Sequence, residues 1–186
     1  RIGHLATLYK VETRSAGRSG PVDISAALRG ATYVDRAIGK FRDDVWRDPT
    51  RTLMGAEQEN WLHAALASSK RAGTRWQVLA QQVVMGDVLM PQAVSGWLRP
   101  DAPTSMRQYV QVGTASARQG VPFNFDSWGG FPAARERLLR AALACNADLI
   151  VLSGDSHNAW GQNLTVDGAD AGVEFAGHSV TSPGYE

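Results

Sequence analysis

Residues 148–160 read DLIVLSGDSHNAW. Leu149 to Ser153 is a continuous apolar run of strand length. A run without polar alternation predicts a strand covered on both faces, as in parallel sheets. Gly154 then allows a tight turn, and Asp155-Ser156-His157 follows. In α/β folds functional side chains gather where strands end. Two chemistries use such an ending. Ser156 can act as a nucleophile at a strand tip. Alternatively, Asp155 and His157 are metal ligands and Ser156 is incidental.

If the chain stays extended past Gly154, side chains alternate. Asp155 and His157 then point one way and Ser156 the other. A converging carboxylate and imidazole suit a borderline or hard cation. His157 is badly placed as a base for its neighbour, so a serine nucleophile needs a His from elsewhere. Gly-Asp-Ser hydrolases carry that motif early and a catalytic Asp-x-x-His much later. Here the only later His is His178, and Phe175 stands three residues before it. This weighs against the serine reading. Two ligands alone do not make a metal site, and an ordinary hydrogen-bonded pair also fits Asp-x-His.

Outward from the motif, Pro132 suits the first position of a helix. The helix continues through AARERLLRAALAC, with Leu138, Leu139, Ala142 and Leu143 inward and Asn146 as a left-handed stop. Residues 55–71, GAEQENWLHAALASSKR, predict another, with Trp61, Leu62, Ala65 and Leu66 on one face. Glu57 and Glu59 open it, Lys70 and Arg71 close it, and Gly73 ends it. RWQVLAQQVVM (75–85) reads as a buried strand, residues 2–12 as a first strand and residues 172–182 as a last one. Residues 14–52 suggest a surface excursion with one or two short helices. Residues 86–125 suggest a long functional loop with one short helix near Thr104–Val112. This order indicates an α/β layered domain.

The 186 residues suffice for one domain with a well-buried core. Lys and Arg number 19 against 18 Asp and Glu, which gives no electrostatic case for a nucleic-acid or membrane-surface partner. No apolar run is long enough to span a bilayer. Cys145 is the only cysteine, so no intrachain disulfide forms. The chain starts at Arg1 inside a strand-like segment with no leader in view, and an earlier part is expected to precede it.

Five segments, in order, resemble the C-terminal half of the PhoD-like alkaline phosphatase family, a branch of the binuclear metallophosphatases. They are RTLMGAEQENWL (51–62), RWQVLAQQVVM (75–85), DSWGGFPAARERLL (126–139), LIVLSGDSHNAW (149–160) and EFAGHSVTSPG (174–184). The resemblance implies part of a four-layer α/β/β/α metallophosphatase sandwich with mixed sheets. It implies phosphate ester hydrolysis, as an alkaline phosphatase or phosphodiesterase, with a metal-activated water as nucleophile rather than a side chain. Two or more divalent or trivalent ions (calcium, iron, manganese or zinc) are implied as cofactors. By match to Gly-Asp-x-His, Asp155 and His157 are metal ligands. A periplasmic or extracellular location is implied by the family's usual export.

The family's other ligands come from an N-terminal half whose motifs are not found here. The expectation is that residues 1–186 form the C-terminal part of one catalytic domain and carry half a site. The alternatives are a non-catalytic remnant or an interaction module that keeps the fold. There are departures. Gly129 and Phe131 stand where the family usually has Asp and Tyr, Glu12-Thr13-Arg14 replaces Asp-Thr-Arg, and the following Arg is displaced to Arg18.

Other residues carry weaker expectations. Gln81 stands where many metallophosphatases place a ligand His, and either supports a ligand or water or is a satisfied buried amide. Asp126 and Trp128 are pocket candidates, though a Trp beside Gly-Gly more often packs. Arg14 can pair with phosphate through its forked head. His63 is expected on a solvated helix face. His178 and His4 carry no assigned role.

Overall fold

β3 (Leu149–Gly154), the strand of the opening motif, is the central strand of a five-stranded sheet in the computed structural model, which describes residues 1–183. The others are β1 (Ala6–Lys10), β2 (Trp76–Val83), β4 (Trp160–Val166) and β5 (Ala169–Ala176), in the order β1-β2-β3-β5-β4. β1, β2, β3 and β5 are parallel, and β4 runs antiparallel at the edge. The fold is mixed α/β, as expected.

Two helices, α3 (Ala56–Arg71) and α5 (Pro132–Ala144), cover one face. Leu62 and Leu66 of α3 and Leu138 and Leu139 of α5 share a core with Tyr9, Leu79, Leu149 and Val151 of the sheet. Each such buried leucine contributes about 1.5–3 kcal/mol. The opposite face has no covering layer among the described residues. Register places Leu8 beside Val78, Val78 beside Ile150, and Leu152 between Ala80 and Phe175. Leu8, Leu152 and Phe175 on that face are 53%, 41% and 57% exposed. An uninterrupted apolar run reports two apolar faces, and among the described residues α3 and α5 cover one of them.

On α3 the buried positions are Glu59, Leu62, Leu66 and Ser69, so the inward stripe lies one step from the expected one. Trp61 is half exposed and meets Tyr9 edge to face at 6.3 Å. Glu59 goes inward because Arg137 meets its carboxylate at 2.9 and 3.0 Å and the Thr52 hydroxyl donates to it. The stop residues behave as expected, with Gly73 at φ 71° and Asn146 at φ 51°.

Residues 14–52 are not merely a surface excursion. They hold α1 (Ile24–Leu28) and α2 (Val34–Phe41), the latter continuing into a wide π-helical turn at Arg42–Trp46. Ile38, Phe41 and Trp46 form a second core with Ala115 and Val121. Its other wall is α4 (Thr104–Arg118), longer than the expected short helix. Its second half was hidden because Gly113, Thr114 and Ser116 are weak helix formers. Tertiary packing selects them: a Cβ on Gly113 would lie 2.5 Å from Met90 Sδ.

β4 is an element the sequence reading missed, and β5 ends at Ala176 rather than near residue 182. The β4–β5 hairpin turns at Asp167-Gly168, with φ of 53° and 77°. Asp-Gly is a strong hairpin signal and was available in the sequence. The first strand is shorter than residues 2–12, and β2 loses two residues at its end.

Candidate functional site

The C-terminal ends of β1, β2 and β3 point the same way, so the segments after Lys10, Val83 and Gly154 meet at one edge of the sheet. Asp155 and His157 lie in the turn after β3, and both are exposed. Their φ values are 67° and 65°. The chain is therefore not extended there, and the alternation argument for Asp155 and His157 does not apply. The turn is built instead from left-handed residues, with Ser156 N–H donating to Gly154 O at 2.8 Å. Asp and His tolerate that conformation better than most side chains.

His157 Nδ1 lies 2.8 Å from Pro183 O. A carbonyl acceptor there fixes Nδ1 as the protonated nitrogen and leaves Nε2 as the lone-pair donor, the usual preparation of a ligand imidazole. The donor types of Asp155 and His157 thus fit a borderline cation. Their number does not complete a site: among the described residues no group of three or more His, Cys, Asp or Glu is placed to hold a metal. Ser156 Oγ donates to Asn158 O at 3.1 Å and accepts from Trp160 Nε1 at 2.8 Å. Neither partner is a base, so the serine-nucleophile reading gains no support.

Arg14 and Asp126 come together beside this turn. Arg14 bonds Asp126 at 2.6 Å and lies 3.7 Å from Asp155. Arg18, the displaced arginine, reaches the same Asp126 carboxylate. Burial is the largest influence on the Asp126 carboxyl and acts upward, yet the bonds and charges of Arg14 and Arg18 together hold it below the usual range. Arg14 is shifted upward, first by its bond to Asp126. The segment is set by Glu12, whose carboxylate accepts the Arg14 N–H at 2.6 Å, and by Thr13, fully buried. Phe131 is buried under the guanidinium groups of Arg18 at 5.2 Å and Arg51 at 4.9 Å.

Gln81 and Gln82 lie in an irregular stretch of β2 between Ala80 and Val83. Such bulges re-aim side chains. Gln81 Oε1 accepts from Trp128 Nε1 at 3.2 Å and from Val83 N–H at 3.0 Å, and its amide nitrogen donates to Val83 O. That is the geometry of a satisfied amide. Trp128 is fully buried and packs in the main core. Gln82 Oε1 accepts both the N–H and the hydroxyl of Thr13, at 2.9 and 2.6 Å, tying β2 to the Arg14 segment.

Two features escaped sequence reasoning. Glu174 on β5 is fully buried. Its carboxylate accepts from Met85 N–H, Gly86 N–H and Ser153 Oγ, each at 2.7 Å, and so binds the loop after β2 to the end of β3. The only sequence signal was a charged residue inside an apolar strand. His63 is half buried rather than solvated, with its Nε2 buried and unpaired. Burial pushes its pKa down, against the charge of Glu59 and with that of Arg137.

A family model for PhoD-like phosphatases matches residues 1–186. The chain belongs to the PhoD-like phosphatase family. It is also 35% identical over 147 residues to alkaline phosphatase D of Bacillus subtilis (strain 168), a match that covers 76% of this chain. The chain spans about 20% of that relative's length. No solved structure matches it. Among the described residues no helix is long and apolar enough to cross a membrane. Gly184, the last residue of the closing matched segment, lies outside the described residues.

Proposed function

We propose that the chain is the C-terminal part of a phosphatase catalytic domain that hydrolyses phosphate esters with the help of bound metal ions. The observation that carries this is the family match over residues 1–186 together with an Asp155/His157 turn at the end of a central parallel strand. In this reading Asp155 and His157 are metal ligands. Bound metals would supply Lewis acidity toward the phosphoryl oxygens and make a coordinated water more acidic. Arg14 holds a positive, forked donor beside Asp155, suited to orienting phosphate oxygens. Asp126 neutralises Arg14 until an anion competes for it, and Arg18 keeps Asp126 in place.

The bare sheet face supports the incomplete-domain reading. Leu8, Leu152 and Phe175 are exposed on a face that the second sheet of a four-layer sandwich would cover. The remaining ligands would come with that second half. An exported, periplasmic or extracellular setting follows from the family's usual habit.

A second reading has its own observation. The described residues hold no third ligand, which suits a remnant that keeps the fold without catalysis. One comparison separates the two: metal content and phosphoesterase activity of the full-length protein and its His157→Ala variant. The proposal expects metal bound by the parent and loss of both metal and activity in the variant. A variant that keeps its full metal content and activity refutes the ligand assignment, and a parent without either favours the remnant.

A further inference from the structure

A groove opens on residues 122–125, next to Asp126. It runs between α1 and α4, holds about 720 Å³, and is walled by Val22, Leu28, Tyr109, Val112, Phe123 and Phe125. That volume is in the range of small-molecule sites. A second recess, of about 420 Å³, shares Val22, Tyr109, Phe123 and Phe125 with the groove and reaches Asp126. A third, small recess lies against Asp155 and shares Phe123 and Asn124 with the second. Phe123 lines all three recesses and so links the groove to the Asp155 turn.

We propose that this groove is a subsite for an apolar ester group of the substrate, an alkyl or aryl substituent on the phosphate that sits at Asp155. The inference rests on the phosphate-ester reading above and names the substrate class within it. Three observations carry it. Aromatic and branched aliphatic side chains from three separate segments predominate in the walls, beside the polar side chains of Asp23, Ser25, Gln108 and Gln111. Among the described residues Arg29 is the only cationic side chain along the groove, and Asp23 lines it too, so a second phosphate finds little to pair with there. Tyr109 of α4 lines the groove and is 51% exposed.

An apolar group entering the groove gains affinity with each methylene removed from water. Full burial of a CH₂ is worth about fourfold, and a half-open groove returns about twofold. Butyl over methyl, three methylenes, then gives roughly tenfold.

Titration calorimetry of the full-length protein with methylphosphonate, butylphosphonate and phenylphosphonate tests this. Butylphosphonate and phenylphosphonate are expected to bind about tenfold more tightly than methylphosphonate. Leu28→Ser on α1 and Tyr109→Ser on α4 should each cut that ratio to threefold or less. Met106→Ser, an exposed side chain of α4 outside the groove, should leave it unchanged. A parent ratio near one, or a ratio untouched by both groove variants, overturns the subsite. Hydrolysis of methyl 4-nitrophenyl phosphate by the same preparation reports separately on the phosphate-ester reading. A Leu28-dependent binding ratio without hydrolysis would keep the groove and reject the reaction.

Discussion

Replacing Glu174 by Ala removes a carboxylate with no solvent exposure, three donors at 2.7 Å and a longer fourth bond from Gln162 Nε2 at 3.4 Å. Two of those donors are backbone N–H groups, of Met85 and Gly86, and the third is the Ser153 hydroxyl at the end of β3. A hydrogen bond to a charged acceptor is worth about 1.5–3 kcal/mol, so three set a gross loss of roughly 6 kcal/mol. Uncharged donors carry the buried charge: backbone N–H groups, a hydroxyl and an amide. Relief of that desolvation returns about half of the loss. The expected net destabilisation is about 3 kcal/mol. Glu174→Gln keeps the shape and one oxygen but turns an amide N–H toward a donor, and should cost about half as much. Urea denaturation followed by near-ultraviolet circular dichroism measures both. At an m-value of about 2 kcal/mol/M, the alanine midpoint should fall by roughly 1.5 M. An alanine variant within about 0.5 kcal/mol of the parent would refute the claim that this carboxylate fastens the β2 loop to β3.

Two further outcomes are expected. Arg14→Ala should lower kcat/KM on phosphate esters about ten- to a hundredfold, the worth of one charge-assisted bond, while changing stability by less than about 1 kcal/mol because the pair is exposed. Steady-state kinetics and a melting curve check this, and a kinetic effect below twofold counts against a phosphate contact. For His63, burial holds the folded pKa below its ordinary value near 6.5. The folded chain therefore binds fewer protons than the unfolded chain, and stability rises with pH in that window. The contribution is fully present above pH 6.5 and is lost as pH falls toward the lowered folded value. Thermal melts between pH 7.5 and 5.5 should show this slope, and His63→Gln should flatten it. An identical slope in the variant would assign it to another group.

The sequence by itself determined the local elements whose signals are short-range. Pro132 and Asn146 bound α5, Gly73 ended α3, and the run from Leu149 to Ser153 marked the central strand. Family membership was legible too, because motif order survives without coordinates. What the sequence left undecided depends on contacts between distant segments. Whether Trp61 or Glu59 goes inward on α3 turns on Arg137, 78 positions away from Glu59. The second half of α4 is helical because small residues admit Met90, which no propensity predicts. The Asp155–His157 turn was read as extended, yet both residues are left-handed, and alternation is a property of strands that a turn does not obey. The pairing of Arg14 and Arg18 with Asp126, more than a hundred positions apart, is likewise a product of the parallel crossovers that bring strand ends together. Periodicity reports which faces of an element are apolar. Only tertiary structure decides which partner each of those faces finds, and among the described residues one face of this sheet is covered by α3 and α5.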